Sequence, residues 1–407
     1  MIDFGRTGLF SADYWADPHG AGALARERAP VHVDVLPSGV RAWVITRYDD
    51  VKAALADPRL VKSAAVVRAA VVAQLTAAGH DPAAASVMFS PHMIFADGQE
   101  HARLRRLVSS VLTRRRMESM TPLVEAMAGD LIDRMDAVDG PVDVVSGLAF
   151  PLPLGVICDL LGVPDVDRPR LREWTIALMD EDPHEVVPAS AQMAHYVMGL
   201  IEARRATPGD DLVSVLVTAG SGSDRLTTEE LLGTVVLLIV AGHDTTSAAI
   251  TNAVAGLLTV PERWKALTAD PSGVPAAVEE LIRLEGAVRH ATYRVAAEPV
   301  TVGGTTIPAG EVVLVSLISA NRDPAAFPEP TDYRPGDRGA TQHLGFGHGP
   351  HYCLGAPLAR IEIATVLRLL TTLYPNARLA EPAAPPAYTR SPITVGRQHL
   401  RVLLDPA

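Results

Sequence analysis

Residues 343–362 read HLGFGHGPHYCLGAPLARIE, and the setting of the cysteine in this stretch decides how the rest of the chain is read. The ten residues before Cys353 hold three glycines and three histidines. Gly347 and Gly349 permit backbone conformations closed to other residues, so amide hydrogens can turn toward the sulfur. A helix is expected over 358–373, with Pro357 tolerated in its first turn. The sulfur then sits at a helix N-terminus, where free amides and the positive dipole end favour a thiolate and lower its pKa. Gly355 removes a side chain where a flat ligand can come close. Those are the needs of a metal-bound thiolate. A second reading stays open, because His351, two positions away, is a candidate base for a thiol hydrolase or transferase. The other cysteine, Cys158, lies in the apolar run LGVICDLLGV and reads as a small buried hydrophobe.

Bulk properties bound the answer from outside. With 407 residues, 48% of them hydrophobic and 20% charged, the chain is globular and long enough for a sizeable core. No repeat, low-complexity linker or boundary divides it, so one domain over 1–407 is expected. The start, MIDFGRTGLFSADYW, lacks a basic segment followed by an apolar run, and the longest notable apolar run, 235–241, is far short of a membrane span. These features predict a cytoplasmic protein with no membrane role and two reduced thiols. A formal charge of −11 argues against a general nucleic-acid binder.

Outward from the cysteine, periodicity sketches a mainly helical chain with small sheets. PVHVDVLPSGVRAWVITRY, 30–48, alternates around a Pro-Ser-Gly turn and predicts a hairpin. Helical spacing dominates 49–288, as in HARLRRLVSSVLTRRRM. Thr227 and Glu230 form a capping box that opens a helix apolar on nearly every side, which belongs at the centre of the protein. A second hairpin is expected in EPVTVGGTTIPAGEVVLVSL, and strands again in the tail SPITVGRQHLRVLL. Within the central helix, AGHDTT (241–246) sets a glycine, an aspartate and two threonines, all poor helix formers, in succession, which predicts a kink.

FGHGPHYCLGA resembles the haem-binding signature of the cytochrome P450 monooxygenases, with Phe346, Gly347, Gly349, His351, Cys353, Gly355 and Ala356 filling its positions. AGHDTT resembles the oxygen-binding kink of that family's central helix, EELIR supplies Glu280 and Arg283 of its E-x-x-R pair, and HARLR supplies His101 and Arg105. The resemblance spans the chain and is closest to soluble actinobacterial members. It implies the triangular helical prism of the family enclosing heme b, with Cys353 as the axial metal ligand. It further implies that His101, Arg105, Arg294 and His351 hold the propionates, while Ala241 and Gly242 leave room for dioxygen. Asp244 and Thr245 are the implied catalytic acid–alcohol pair, with the Thr245 hydroxyl freed from the backbone by the kink. His243 reads as structural, and Arg334 as a third member of the Glu280–Arg283 lock on the cysteine loop.

The implied reaction inserts one oxygen atom from dioxygen into a bulky apolar substrate, a macrolide or other polyketide, a steroid or a terpenoid, as a hydroxylation in secondary metabolism. Electrons come from NAD(P)H through an external ferredoxin reductase and ferredoxin to a monomer. The basic residues Arg103, Arg106 and 114–116 are the expected docking face for an acidic ferredoxin. A haem-thiolate peroxygenase or isomerase is an alternative that fits less well beside Asp244 and Thr245, and a haem sensor would need an output module the sequence does not show. The variable segment 61–95, with Arg289, His290, Ala291, Ile393 and Thr394, is expected to wall the substrate pocket.

Overall fold

In the computed structural model, described over residues 11–79, 90–178, 183–220, 224–337, 342–382 and 387–405, the helix Thr228–Leu258 runs through the middle. Its start is the expected capping box: the Thr227 hydroxyl accepts from the Glu230 amide at 3.1 Å and the Glu230 carboxylate accepts from the Thr227 amide at 2.8 Å. By length and composition this 31-residue helix could cross a membrane, but here other helices enclose it. Pro151–Leu161, Pro183–Ala206, Val274–Leu284 and Ala356–Leu373 all pack on it. The main core is formed where these helices meet, with Val235, Ile239, Ile250, Leu257, Ile157, Leu281, Val366 and Leu367 at its heart. Burial of that many aliphatic side chains, at about 25 cal/mol per Å² of apolar surface, is the force that fixes the helix stack.

The strands form three small sheets. The first hairpin is as predicted, β1 (Val31–Val35) and β2 (Arg41–Ile45), paired antiparallel. It belongs to a five-stranded sheet in the order β1-β2-β8-β5-β3, with β3 at Leu60–Val61, β5 at Arg294–Ala296 and β8 at Val312–Val315. The second hairpin is shorter than the sequence indicated: only β6 (Val300–Val302) and β7 (Thr305–Ile307) pair with each other. The following run crosses back as β8 between β2 and β5, because all four of its residues are buried and need neighbours on both sides. The third sheet joins β4 (Val142–Asp143), β9 (Arg378–Leu379) and β10 (Arg401–Leu403). Of the tail, only β10 is a strand; Thr394 and Arg397 make isolated bridges to Val288 and Tyr388.

The stretch AGHDTT, where a kink and a freed Thr245 hydroxyl are expected, stays helical, and the hydroxyl is not free. Thr228–Leu258 is helical without interruption, and both threonines of AGHDTT return their hydroxyls to the carbonyls four residues back, Thr245 to Ala241 at 3.0 Å and Thr246 to Gly242 at 3.4 Å. Threonine hydroxyls on the carbonyls four residues back share the helix's own acceptors, a pattern that often bends a helix, while packing on all sides keeps this weak segment helical. Gly242 is also explained by packing: a Cβ there would lie 3.0 Å from Ile157, so the glycine lets Pro151–Leu161 approach.

Candidate functional site

The cysteine loop is built as the glycines require. Gly347 and Gly349 take φ of +75° and +72°, where a side chain is strained. At Gly349 a Cβ would also press on Ala56 at 3.3 Å. The Cys353 amide donates to the Phe346 carbonyl at 2.9 Å, closing the loop, and the helix Ala356–Leu373 begins three residues later. The amides of Gly355 and Ala356 hydrogen-bond the sulfur. The expected drop in its pKa is not found: burial pushes the thiol up, against those amides and the nearby Arg105. Yet Cys353 is also solvent-accessible. Both hold only if the sulfur opens onto an enclosed interior space. Cys158, by contrast, is fully buried and its thiol is pushed up to about 12 by desolvation, as an inert hydrophobe requires.

Around the loop gathers a cluster of cations with almost nothing to neutralise it. His101 and His351 stack with ring centroids 4.1 Å apart. Arg294 is buried, with Nη1 donating to the Thr292 carbonyl at 3.1 Å and Nη2 without a partner, and burial lowers its pKa to about 10. His101 is buried and its Nε2 is likewise without a partner. Arg105 donates from Nη2 to the Tyr352 carbonyl at 2.7 Å, so it braces the cysteine loop as well as charging it. Burial, then the charges of Lys62, His101, Arg294 and Arg105, drive His351 down to about 2. Lys62 itself is buried. Sequence reasoning missed it, since a single lysine after a two-residue strand carries no motif. Among the described residues, Asp97 is the carboxylate that offsets these charges. A buried cluster of this kind calls for anionic ligands. Together with an accessible sulfur at a helix N-terminus, it fits an iron porphyrin with two propionates.

The central helix shows matching signs. Ala241 is exposed although Ile239 and His243 on either side of it are buried, so it too opens inward. Burial raises the Asp244 carboxyl, opposed by His243 and by a hydrogen bond from Thr394, and Asp244 Oδ2 has no partner. His243 is structural, as expected: its Nδ1 lies 2.7 Å from the Ile239 carbonyl and its ring meets Phe150 edge-on at 5.3 Å.

Behind the loop, Glu280 and Arg283 form a buried bidentate pair, both bonds 2.8 Å, and Arg283 also donates to the carbonyls of Asn321, Pro330 and Asp332. Arg334 joins through its backbone amide, 2.9 Å from Glu280, and not through its guanidinium, which pairs with Glu329 and Asp332 at the surface. The direct tie to the cysteine segment is the neighbouring Glu279, which holds Arg360 at 2.5 and 2.9 Å and His343 at 3.1 Å. Arg360 in turn lies over the Phe346 ring, 4.4 Å from its centroid. The adjacent cleft, about 510 Å³, is lined by Lys52, Glu279, His343, His348 and Arg360 and is too charged for an apolar substrate.

Two expectations change. Of the pocket wall, residues 80–89 lie outside the described residues. Arg289 stacks its guanidinium on Tyr14 at 4.6 Å and Trp15 at 4.8 Å, and His290 Nδ1 lies 2.8 Å from the Pro392 carbonyl, so both serve as braces. The arginine patch is partly paired: Arg103 with Glu230, Arg106 with Asp224 and Arg114 with Glu118, while Arg116 donates to the Asp210 carbonyl and keeps its charge.

Residues 170–270 and 273–373 match the family described as Cytochrome P450. The chain is 41% identical over 384 residues to the cytochrome P450 monooxygenase PikC of Streptomyces venezuelae, covering 93% of this chain and 88% of that one. It is 42% identical over 375 residues to the mycinamicin IV hydroxylase/epoxidase of Micromonospora griseorubida, with 90% and 91% covered. The solved structure of tirandamycin C-bound P450 monooxygenase TamI superposes with a TM-score of 0.87 at 37% identity, covering 99% of each chain.

Proposed function

This chain belongs to the cytochrome P450 family and is a haem-dependent monooxygenase, and on that premise we propose that it hydroxylates or epoxidises a bulky apolar scaffold, with a macrolide or related polyketide first. The observation that carries the reading is the pairing of an accessible, amide-bonded Cys353 with a buried cation cluster served by one carboxylate. Bound there, haem supplies the activation of dioxygen that no side chain provides. Cys353 would hold the haem iron through its sulfur. Arg105 and Arg294 would neutralise the propionates and His101 and His351 would hold them by hydrogen bonds, while Phe346 and Gly355 border the cysteine and Ala241 marks the open face of the central helix.

Asp244 is the proton-handling group. Its carboxyl is buried, has an oxygen without a partner and touches the Thr394 hydroxyl, so it can hold a proton and pass it inward. Thr245 acts beside it by releasing its bond to Ala241 when a second acceptor enters. Gly242 serves helix packing.

Electrons arrive from NAD(P)H through a ferredoxin reductase and a ferredoxin in the cytoplasm, and the chain works as a single-domain monomer. The surface near the cysteine loop, with Lys52 and His348 at the charged cleft, joins the partly paired arginine patch as a docking face. Incubating the reconstituted system with a macrolide panel under ¹⁸O₂ tests the reading. One labelled oxygen atom per product molecule is expected. Turnover without label, or with peroxide alone and no reductant, would transfer the chain to another reaction class.

A further inference from the structure

Among the described residues, Lys62 is a buried ammonium that neither the signature motifs nor the proposed mechanism employs. Strand register fixes where it lies. In the antiparallel pair β3–β5, Leu60 faces Ala296 and Val61 faces Val295; Lys62 follows directly on β3, and continuing the register sets it toward Arg294, whose charge acts on its ammonium. Side chains opposite one another in such a pair are about 5 Å apart on one face, and like charges there repel. Both are buried, at 3% and 1% exposure, away from the water that would screen them.

What surrounds them does not cancel the charge. Lys62 Nζ donates to the Thr292 hydroxyl at 2.7 Å, leaving two of its three donors, and Arg294 takes the Thr292 carbonyl. Asp97 is the carboxylate in range, but its Oδ2 already accepts the amides of Lys62 and Ser63 at 2.8 and 2.7 Å. His101, His351, His92 and Arg105 supply further donors and no acceptor charge. Burial, then Arg294, pushes the Lys62 ammonium well below its usual range. Two cations held face to face by a sheet, with unused donors on each, form a receptor for a carboxylate.

We propose that Lys62 is an additional propionate ligand, closing with Arg294 as a clamp across β3 and β5. The proposal rests on the haem reading above. Its effect is to retain the cofactor: each arm of the clamp is stabilised by the carboxylate and opposed by the other arm without it.

The test compares purified holoenzymes of wild type, Lys62→Met and Lys62→Arg by the rate of haem transfer to excess apomyoglobin. Lys62→Met, similar in volume and uncharged, is expected to lose haem about tenfold faster and to show a more negative reduction potential; Lys62→Arg should stay near wild type. Each protein is also reconstituted with haem dimethyl ester, whose side chains carry no charge. There the gap between wild type and Lys62→Met should close. Equal loss rates with ordinary haem, or a gap that persists with the ester, would overturn the clamp and make Lys62 a packing residue. A wild-type protein that holds no thiolate-ligated haem would instead overturn the family-based reading, and the clamp with it.

Discussion

The two sides of the site are held together in opposite ways. Behind the cysteine loop, charged side chains are tied down, Glu280 to Arg283 and Glu279 to Arg360 and His343, whereas beside it Arg294 Nη2 and His101 Nε2 have no partner. On the central-helix side, Asp244 and His243 each keep a buried polar atom without a partner, and Thr245 bonds only its own helix. Leaving a buried polar atom unpaired costs about 1–3 kcal/mol, so such atoms persist where something other than stability selects them. The contrast is between the network behind the thiolate loop, built to stay fixed, and the inner groups beside the loop and on the central helix, which keep unpaired polar atoms for ligands and protons.

Breaking the fixed side should have the largest effect. Arg283→Ala leaves the Glu280 carboxylate buried without its partner, a loss of about 3–5 kcal/mol, and strips three loop carbonyls of their donor. Purified protein should carry little haem and melt far below wild type. Near-normal haem content would show that the lattice is dispensable.

On the exchanging side, stability should hardly move while turnover does. Asp244→Asn should slow product formation by about a hundredfold, within the range of a lost proton-transfer group, and enlarge the solvent isotope effect. Thr245→Ala should act less on rate and more on coupling, diverting reductant to peroxide; side-by-side measurement of reductant, product and peroxide checks it. If both variants kept normal rate and coupling, AGHDTT would be a packing element and the contrast between the two sides would disappear.

The smallest effect concerns Glu279. Burial alone would raise its carboxyl, but hydrogen bonds from Arg360 and His343 outweigh it and hold it at about 2. Because the folded value lies below the ordinary one near 4.5, its stabilisation is present above about pH 4.5 and fades as the pH falls toward 2. The pair is partly exposed, so Glu279→Gln should cost about 1 kcal/mol or less at pH 7 and flatten the acid limb of a thermal-stability profile below pH 4.5. An unchanged acid limb would remove Glu279 from the anchoring set.

How far the sequence could be read follows the same division. The thiolate loop was legible because it depends on local backbone: glycines at positive φ, a proline in a first turn and a cysteine ahead of a helix leave marks at fixed spacing. The capping box and the first hairpin were legible for the same reason. Lys62 was not, since its meaning lies in a cross-strand register with a residue more than two hundred positions away. The freed Thr245 hydroxyl failed as an expectation because the Ala241 carbonyl takes it, and Gly242 was assigned to oxygen although a Cβ there would meet Ile157. Arg334 was placed correctly but by the wrong atoms, a distinction between backbone and side chain that spacing alone does not carry.

The account stands or falls on Cys353 as the ligand of the haem iron. The direct measurement is the absorption spectrum of the reduced, CO-treated protein in wild type, Cys353→Ser and Cys158→Ser. The thiolate-type band is expected in wild type and in Cys158→Ser and should be absent in Cys353→Ser. A Cys353→Ser protein that keeps the band would contradict the assignment and, with it, the reading of the loop on which everything else rests.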